Sequence, residues 1–341
     1  MEARLSHHLA HHFSIYNDLR LRGSDTIVDF LEKLSKSSPS LKVLDLENCR
    51  CFNGKMRFLR VICSNILLLK YLSLRGTDAT QLPKEINNLQ ELEVLDIRQI
   101  KVPASATRNI KLLKLKRLLG GDTHPSLSCT EIASVQVPEK VEHMQHMEVL
   151  SNVKPLSSKD LEDIGTLWQL RKLGVVIEDK YSHLKNLLEL ISNLHKHLQS
   201  LSITRCPTTG REGTPYRRGF SVLRDATSRR LQGTTTDGPT YHPNKLLESL
   251  SISGTTEKVE LLKKLLDKDC EALAKVTLGN ALLKQEDLNV LAKLPKLCCF
   301  RLRNIDPRST LTFNKDEFPK LKYFLFEGSK SVAFQNWRST S

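Results

Sequence analysis

The sequence predicts an α/β solenoid: a horseshoe of stacked repeats, with a parallel β-sheet on the concave face and short helices or turns on the convex face. Three observations predict it. An apolar pattern, leucine-x-x-leucine-x-leucine with other apolar residues allowed, recurs along the chain. Its copies fall at intervals too regular for an ordinary globular core. Aromatic residues make up only 6% of 341 residues, so the interior must be filled by leucine and isoleucine.

The copies begin at Leu41, Leu69, Leu92, Leu115, Met147, Leu170, Leu198, Leu247, Leu273, Leu297 and Leu321. The intervals between them are 28, 23, 23, 32, 23, 28, 49, 26, 24 and 24 residues, mostly within the 20–29-residue range of leucine-rich repeats. Within each copy the last two apolar residues are two apart, so both point to one side of a short strand, and the first drops into the same interior. About eleven repeats are therefore expected over 41–334, each strand stacking on the last. One repeat cannot bury its apolar side alone; the stack can.

The return segments are read in order. Leu82-Pro83-x-x-Ile86-x-x-Leu89 is a tight return, with Pro83 favouring a turn before a short helical piece. Leu161, Ile164 and Leu167 recur every three residues, and Leu184, Leu187, Leu188, Ile191 and Leu194 form a helical stripe. Val259, Leu262, Leu265 and Leu266 form another, and Leu288, Leu291 and Leu294 end at Pro295, a helix stop. Residues 120–138 lack periodicity and are expected to be an irregular loop. Residues 211–241 fill the 49-residue interval with glycine, threonine and arginine (Arg217, Arg218, Arg229 and Arg230 among them), and are expected to form a flexible basic insert. Residues 1–12 are expected to be a disordered tail and 335–341 another. Residues 13–40, with Ile27, Phe30, Leu31 and Leu34, are expected to form an N-terminal cap-like segment, whereas Val332, Phe334 and Trp337 give the other end little to cover it.

The chain carries a formal charge of +14, scattered rather than gathered in one run, which reads as a solvated surface. Eight cysteines show no paired spacing suited to a disulfide framework or a zinc site. There is no secretory signal and no apolar run long enough for a membrane span, so a cytoplasmic location, extending to the nucleus, is expected. His7, His8, His11 and His12 have helical i,i+4 spacing, but no acid or cysteine accompanies them, and no metal site is assigned. No catalytic motif and no cofactor site is present, so the chain is expected not to be an enzyme. Cys298-Cys299 are read as structural.

Function on a solenoid is carried by residues interleaved between the inward leucines. The expected partner-binding positions are Glu47, Tyr71, Arg75, Asp96, Arg98, Lys172, Arg301, Arg303 and Tyr323, with Asp45, Ser73, Ser200, Ser202, Ser249 and Ser251 on the same face. Tyrosine and arginine are the types most enriched at binding hot spots. The first repeats mix signs and the last are basic, which suits an acidic partner region there.

The run Tyr71-Leu72-Ser73-Leu74-Arg75-Gly76-Thr77, continued by Leu82-Pro83-x-x-Ile86-x-x-Leu89-x-x-Leu92-x-Val94-Leu95-Asp96-Ile97, resembles the repeats of plant nucleotide-binding leucine-rich-repeat receptors, in particular coiled-coil-class disease-resistance proteins of grasses. Leu41-Lys42-Val43-Leu44-Asp45-Leu46-Glu47, Leu167–Val175 and Phe318–Phe324 match in the same way, and the resemblance covers roughly 13–330. It implies protein recognition in innate immunity: sensing a pathogen effector or a guarded host protein, or an autoinhibitory contact with a receptor's nucleotide-binding and coiled-coil domains. The chain lacks the nucleotide-binding module. Gly54-Lys55 is followed by Met56, without the phosphate-cradling loop, so no nucleotide is expected. Nucleic acid binding by a basic solenoid, or a generic repeat scaffold, is the alternative. No aromatic-interleaved basic strip supports the former.

Overall fold

The structure is a computed structural model. It describes residues 12–14, 40–50, 52, 57–121, 134–178, 181–206, 244–254, 262, 265–266, 270–306, 308–314, 317–328 and 333–335. The basic segment 211–241, His7, His8 and His11, and Ile27, Phe30, Leu31 and Leu34 lie outside the described residues.

Each of the eleven motif copies becomes a strand that begins two residues after its first leucine. These are β2 (Val43–Asp45), β3 (Tyr71–Ser73), β4 (Val94–Asp96), β5 (Arg117–Leu119), β7 (Val149–Lys154), β8 (Lys172–Glu178), β9 (Ser200–Cys206), β10 (Ser249–Ser253), β11 (Lys275–Gly279), β12 (Cys299–Arg303) and β14 (Tyr323–Glu327). They pair in parallel, in chain order, within one sheet. Two further strands extend it: β1 (His12–Ser14) pairs with β2, and β6 (Val135–Gln136) pairs with the far end of β7. Neither was expected from the leucine pattern: β1 begins inside the segment read as a tail, and β6 inside the segment read as a loop.

The register is repeat-true. Leu44, Leu72, Leu95, Leu118 and Leu150 stand opposite one another, as do Leu201, Leu250, Val276, Phe300 and Phe324. From Leu44 and Leu46 to Phe300 and Leu302, the inward residues of these strands are no more than 2% exposed. Burying a side chain of this size contributes roughly 1.5–3 kcal/mol. The stack of such residues is the core, and no rung has one of its own. At β14 Phe324 and Phe326 are only half-buried, because no further strand among the described residues lies over them. There the core turns aromatic: Phe300, Phe313, Phe318 and Phe324 pack with ring centroids 5.4–5.9 Å apart.

Several rungs close with a turn in which one residue adopts positive φ. Asn48, Gly76, Gln99, Gly254, Asn280 and Asn304 occupy this position, at φ between 47° and 106°. Asparagine and glycine suit it because they tolerate the left-handed region. Their amides extend the ladder, as in Asn48 N to Arg75 O at 2.7 Å and Asn280 N to Arg303 O at 2.9 Å. A bulge interrupts β7, where Asn152 takes φ 52° and donates its side-chain amide to Gly120 O.

The returns differ along the chain. Helix α1 (Arg57–Asn65) was not anticipated, although Phe58, Leu59, Ile62 and Cys63 repeat at helical spacing and are buried. The next two returns are 3-10 turns, Lys84–Asn88 behind Pro83 and Ala104–Thr107 behind Pro103. Proline at such a start loses no hydrogen bond. Then come α2 (Ser158–Ile164), capped by the Ser157 hydroxyl accepting from Asp160 N, α3 (Tyr181–Asn193) and α4 (Gln285–Ala292). Leu262, Leu265 and Leu266 are buried as their stripe requires. A second small sheet forms on the return side, where β13 (Thr310–Thr312) pairs in parallel with β15 (Ala333–Gln335) and is held to α4 by the Gln285 amide, which bonds both Thr312 N and Thr312 O at 2.9 Å. Phe334 therefore stands in register with Leu311. No helix among the described residues is long and apolar enough to cross a membrane.

Candidate recognition surface

In a strand, residues between inward ones face the opposite side. Nine positions were expected to meet a partner, and the structure gathers eight of them into two clusters at the ends of the sheet.

The first spans β2 to β4. Arg75 Nη1 lies 3.2 Å from Glu47 Oε1, and its Nε reaches Gln99 Oε1 at 3.3 Å. Arg98 closes on Asp96, with Nε 2.9 Å from Oδ1 and Nη2 2.5 Å from Oδ2, while the Arg98 amide also donates to Oδ1 at 3.1 Å. The same fold-back of a backbone amide occurs two motifs earlier, where Glu47 N donates to Asp45 Oδ1 at 3.0 Å. Tyr71 lies half-buried among these groups, and burial, reinforced by the Asp45 carboxylate, pushes its phenol up from its ordinary range. It stays neutral at physiological pH. Asp96 is 2% exposed, and its carboxylate is taken up by Arg98.

The second cluster spans β12 and β14. Arg301 Nε is 3.4 Å from Glu327 Oε1, and Arg303 Nε is 2.8 Å from Glu327 Oε2. Tyr323 is 62% exposed beside them. One carboxylate thus serves two guanidinium groups, which moderates the basic character read from the sequence. Glu327 was missed there, although it stands two residues beyond Leu325 in the strand's own alternation.

Lys172 belongs to neither cluster and makes no ion pair among the described residues. It borders a stretch where the outward column is small: Gly174, Ser202, Ser251 and Thr277 stand in register on successive strands. A Cβ on Gly174 would sit 2.9 Å from Asn152 N, so the bulge in β7 holds that position to glycine.

A charge ladder runs along the edge where the strands begin. Glu93 accepts from Lys70 Nζ and from Lys116 Nζ, each at 2.7 Å, on adjacent rungs. The two ammonium groups, Lys116 foremost, hold the Glu93 carboxyl down at about 2. On the return side Arg108 Nη1 donates to Asp160 Oδ1 and to Val137 O, both at 2.9 Å, and Asp160 Oδ2 accepts from Leu156 N at 2.7 Å. These are scaffold contacts.

Among the described cysteines, Cys49, Cys63 and Cys270 are buried. Burial, then Glu85, pushes the Cys63 thiol up to about 12, and Cys298 Sγ donates to Ala274 O at 3.4 Å. Cys298 and Cys299 are both half-buried and lie between the inward Leu297 and Phe300. No group of three or more histidine, cysteine, aspartate or glutamate side chains among the described residues could hold a metal ion.

The profile of the leucine-rich repeat region family matches residues 25–337. The rice disease resistance protein Pik-2 (Oryza sativa subsp. japonica) is 29% identical over 268 residues, which is 75% of this chain and 25% of that protein. The rice disease resistance protein RGA4 is 46% identical over 80 residues, 24% of this chain and 8% of that protein. The chain therefore spans about a quarter, or less, of the length of these relatives. Among solved structures, a leucine-rich-repeat protein of Leptospira interrogans is similar at 17% identity and a TM-score of 0.42, over 86% of this chain and 74% of that one.

Proposed function

We propose, from the premise that this chain belongs to the leucine-rich repeat family, that its concave sheet is a protein-recognition surface serving plant innate immunity, with no chemistry of its own. One observation carries the proposal: an unbroken parallel sheet whose outward residues form two ordered arginine–tyrosine clusters separated by a shallow, small-residue stretch. Arginines held by neighbouring carboxylates lose little freedom on binding, which favours specific contact. The rice relatives, named as disease resistance proteins, support the biological setting. Two partners fit it: a pathogen effector or guarded host protein, or the nucleotide-binding and coiled-coil domains of a receptor held in check by the repeats. The setting is cytoplasmic, extending to the nucleus.

The test supplies the nucleotide-binding and coiled-coil domains of a related receptor in trans, alongside candidate effectors, and measures affinity by interferometry. Arg75→Glu with Arg98→Glu, or Arg301→Glu with Arg303→Glu, should weaken binding at least tenfold, about 1.4 kcal/mol. Affinity untouched by both pairs would remove the concave face from the account. The +14 charge favours one other reading, nucleic acid binding. Phosphate contacts make affinity fall steeply with salt, so weak, sequence-blind RNA binding that vanishes at physiological salt would dispose of it. The two named tyrosines, Tyr71 and Tyr323, stand at opposite ends of the sheet, which suits stacked bases poorly.

A further inference from the structure

A second surface lies on the flank where the chain turns into each strand. A two-residue turn precedes each repeat strand from β3 onward there, with exposed side chains. Along the sheet these turns alternate in character. Leu67-Leu68 precedes β3, Leu113 precedes β5, Trp168 precedes β8 and Leu246 precedes β10. The turns before the strands in between, β4, β7 and β9, carry Gln90-Glu91, Gln145-His146 and Lys196-His197. The apolar members are 47%, 50%, 52%, 57% and 47% exposed in chain order, and they are most of the large apolar side chains exposed among the described residues. Scattered exposed leucines need no explanation; a row at every second rung does.

We propose that this row docks an acidic amphipathic α-helix of a partner protein. Strands in a sheet lie about 4.8 Å apart, so apolar turns on alternate rungs recur about every 9.6 Å. Seven residues of α-helix rise about 10.5 Å, so a helix lying along the flank presents one apolar residue per heptad to each apolar turn. The row covers six rung steps, about 29 Å, the length of a helix of about 20 residues. Charge selects the sign. Glu93 is shared between Lys70 and Lys116, which leaves one cation in excess, and Arg171, Lys196 and Lys245, which make no ion pair among the described residues, outnumber Glu248, an acid on this edge that likewise makes none. Glutamates flanking the apolar stripe of the helix complement these cations. A second copy of this chain would instead set cation against cation. The inference stands apart from the concave-face reading and shares no residue with it.

The probe is a synthetic helix of about 24 residues with leucine at heptad positions and glutamate on the flanks, compared with a counterpart carrying lysine. In the full chain with Trp337→Phe, Trp168 is the only tryptophan left. Its emission should shift to the blue and saturate with the glutamate helix, and the lysine helix should bind at least tenfold more weakly. Leu113→Ser with Leu246→Ser should weaken binding at least tenfold. Leu156→Glu, a leucine 53% exposed beyond the far end of β7, should not, nor should Arg301→Glu with Arg303→Glu. Any of three results overturns the proposal: no spectral shift at millimolar peptide, equal affinity for both helices, or loss of binding through the concave arginines in place of the leucines.

Discussion

Glu93 illustrates how much a single residue on a rung depends on its neighbours. Its carboxyl is held at about 2 against an ordinary 4.5 by Lys116 and Lys70. A depressed carboxylate stabilises the fold above its unfolded pKa, and that stability is lost as pH falls toward the folded value. The window is therefore from about pH 4.5 down to about pH 2, and after solvent screening the effect is about 1 kcal/mol. Glu93→Gln should flatten this limb of the stability–pH curve while leaving the curve's shape above pH 5 unchanged, as measured by urea unfolding. A different constraint acts at Gly254, whose φ is +106° and whose added Cβ would lie 2.0 Å from Arg205 O. Gly254→Ala should cost about 3 kcal/mol, combining backbone strain with displacement of a ladder carbonyl. Asn304→Gly, at φ 47°, should change stability by less than about 1 kcal/mol, since either residue fits that turn.

Elements are joined on the return side by Arg108, which reaches Val137 O near β6 and the Asp160 carboxylate in α2, 52 residues away. Asp160 is 5% exposed, so removing its partner strands a buried charge. Arg108→Met should cost about 3 kcal/mol in urea melts, and pairing it with Asp160→Asn should recover part of the loss. Nothing in the sequence announces this pair, because its geometry depends on how many residues each return takes up. The strands, in contrast, were legible: inward positions at i, i+3 and i+5 are demanded by every rung. Helix α1 was also written there, in Phe58, Leu59, Ile62 and Cys63, as was Glu327 in the alternation of β14. The two arginine clusters were legible as positions but not as partners. Arg303 meets Glu327 across 24 residues, and only the register makes them neighbours. The pairing of β13 with β15 left no trace, since neither segment follows the leucine spacing.

At the scale of the molecule, stability is a chain of nearest-neighbour contacts. Interior rungs have a neighbour on each side, whereas β14 is covered on one side among the described strands and its Phe324 and Phe326 remain half-buried. Hydrogen exchange should therefore be slowest in β8 and β9, whose pairing runs over seven residues, and faster toward β14 by at least tenfold. Uniform protection from end to end would contradict a stack that frays from its end.

The true register has a consequence for how such a chain tolerates change. β3, β4 and β5 place Leu72, Leu95 and Leu118 opposite one another, 23 residues apart. Excising one such period would hand Leu72 the neighbour that Leu95 had, and the ladder would close over the gap. Removing half a period would set polar residues where leucines must stand. The molecule can be shortened by whole steps and by nothing finer, so its reach toward a partner is a quantity that changes in integers.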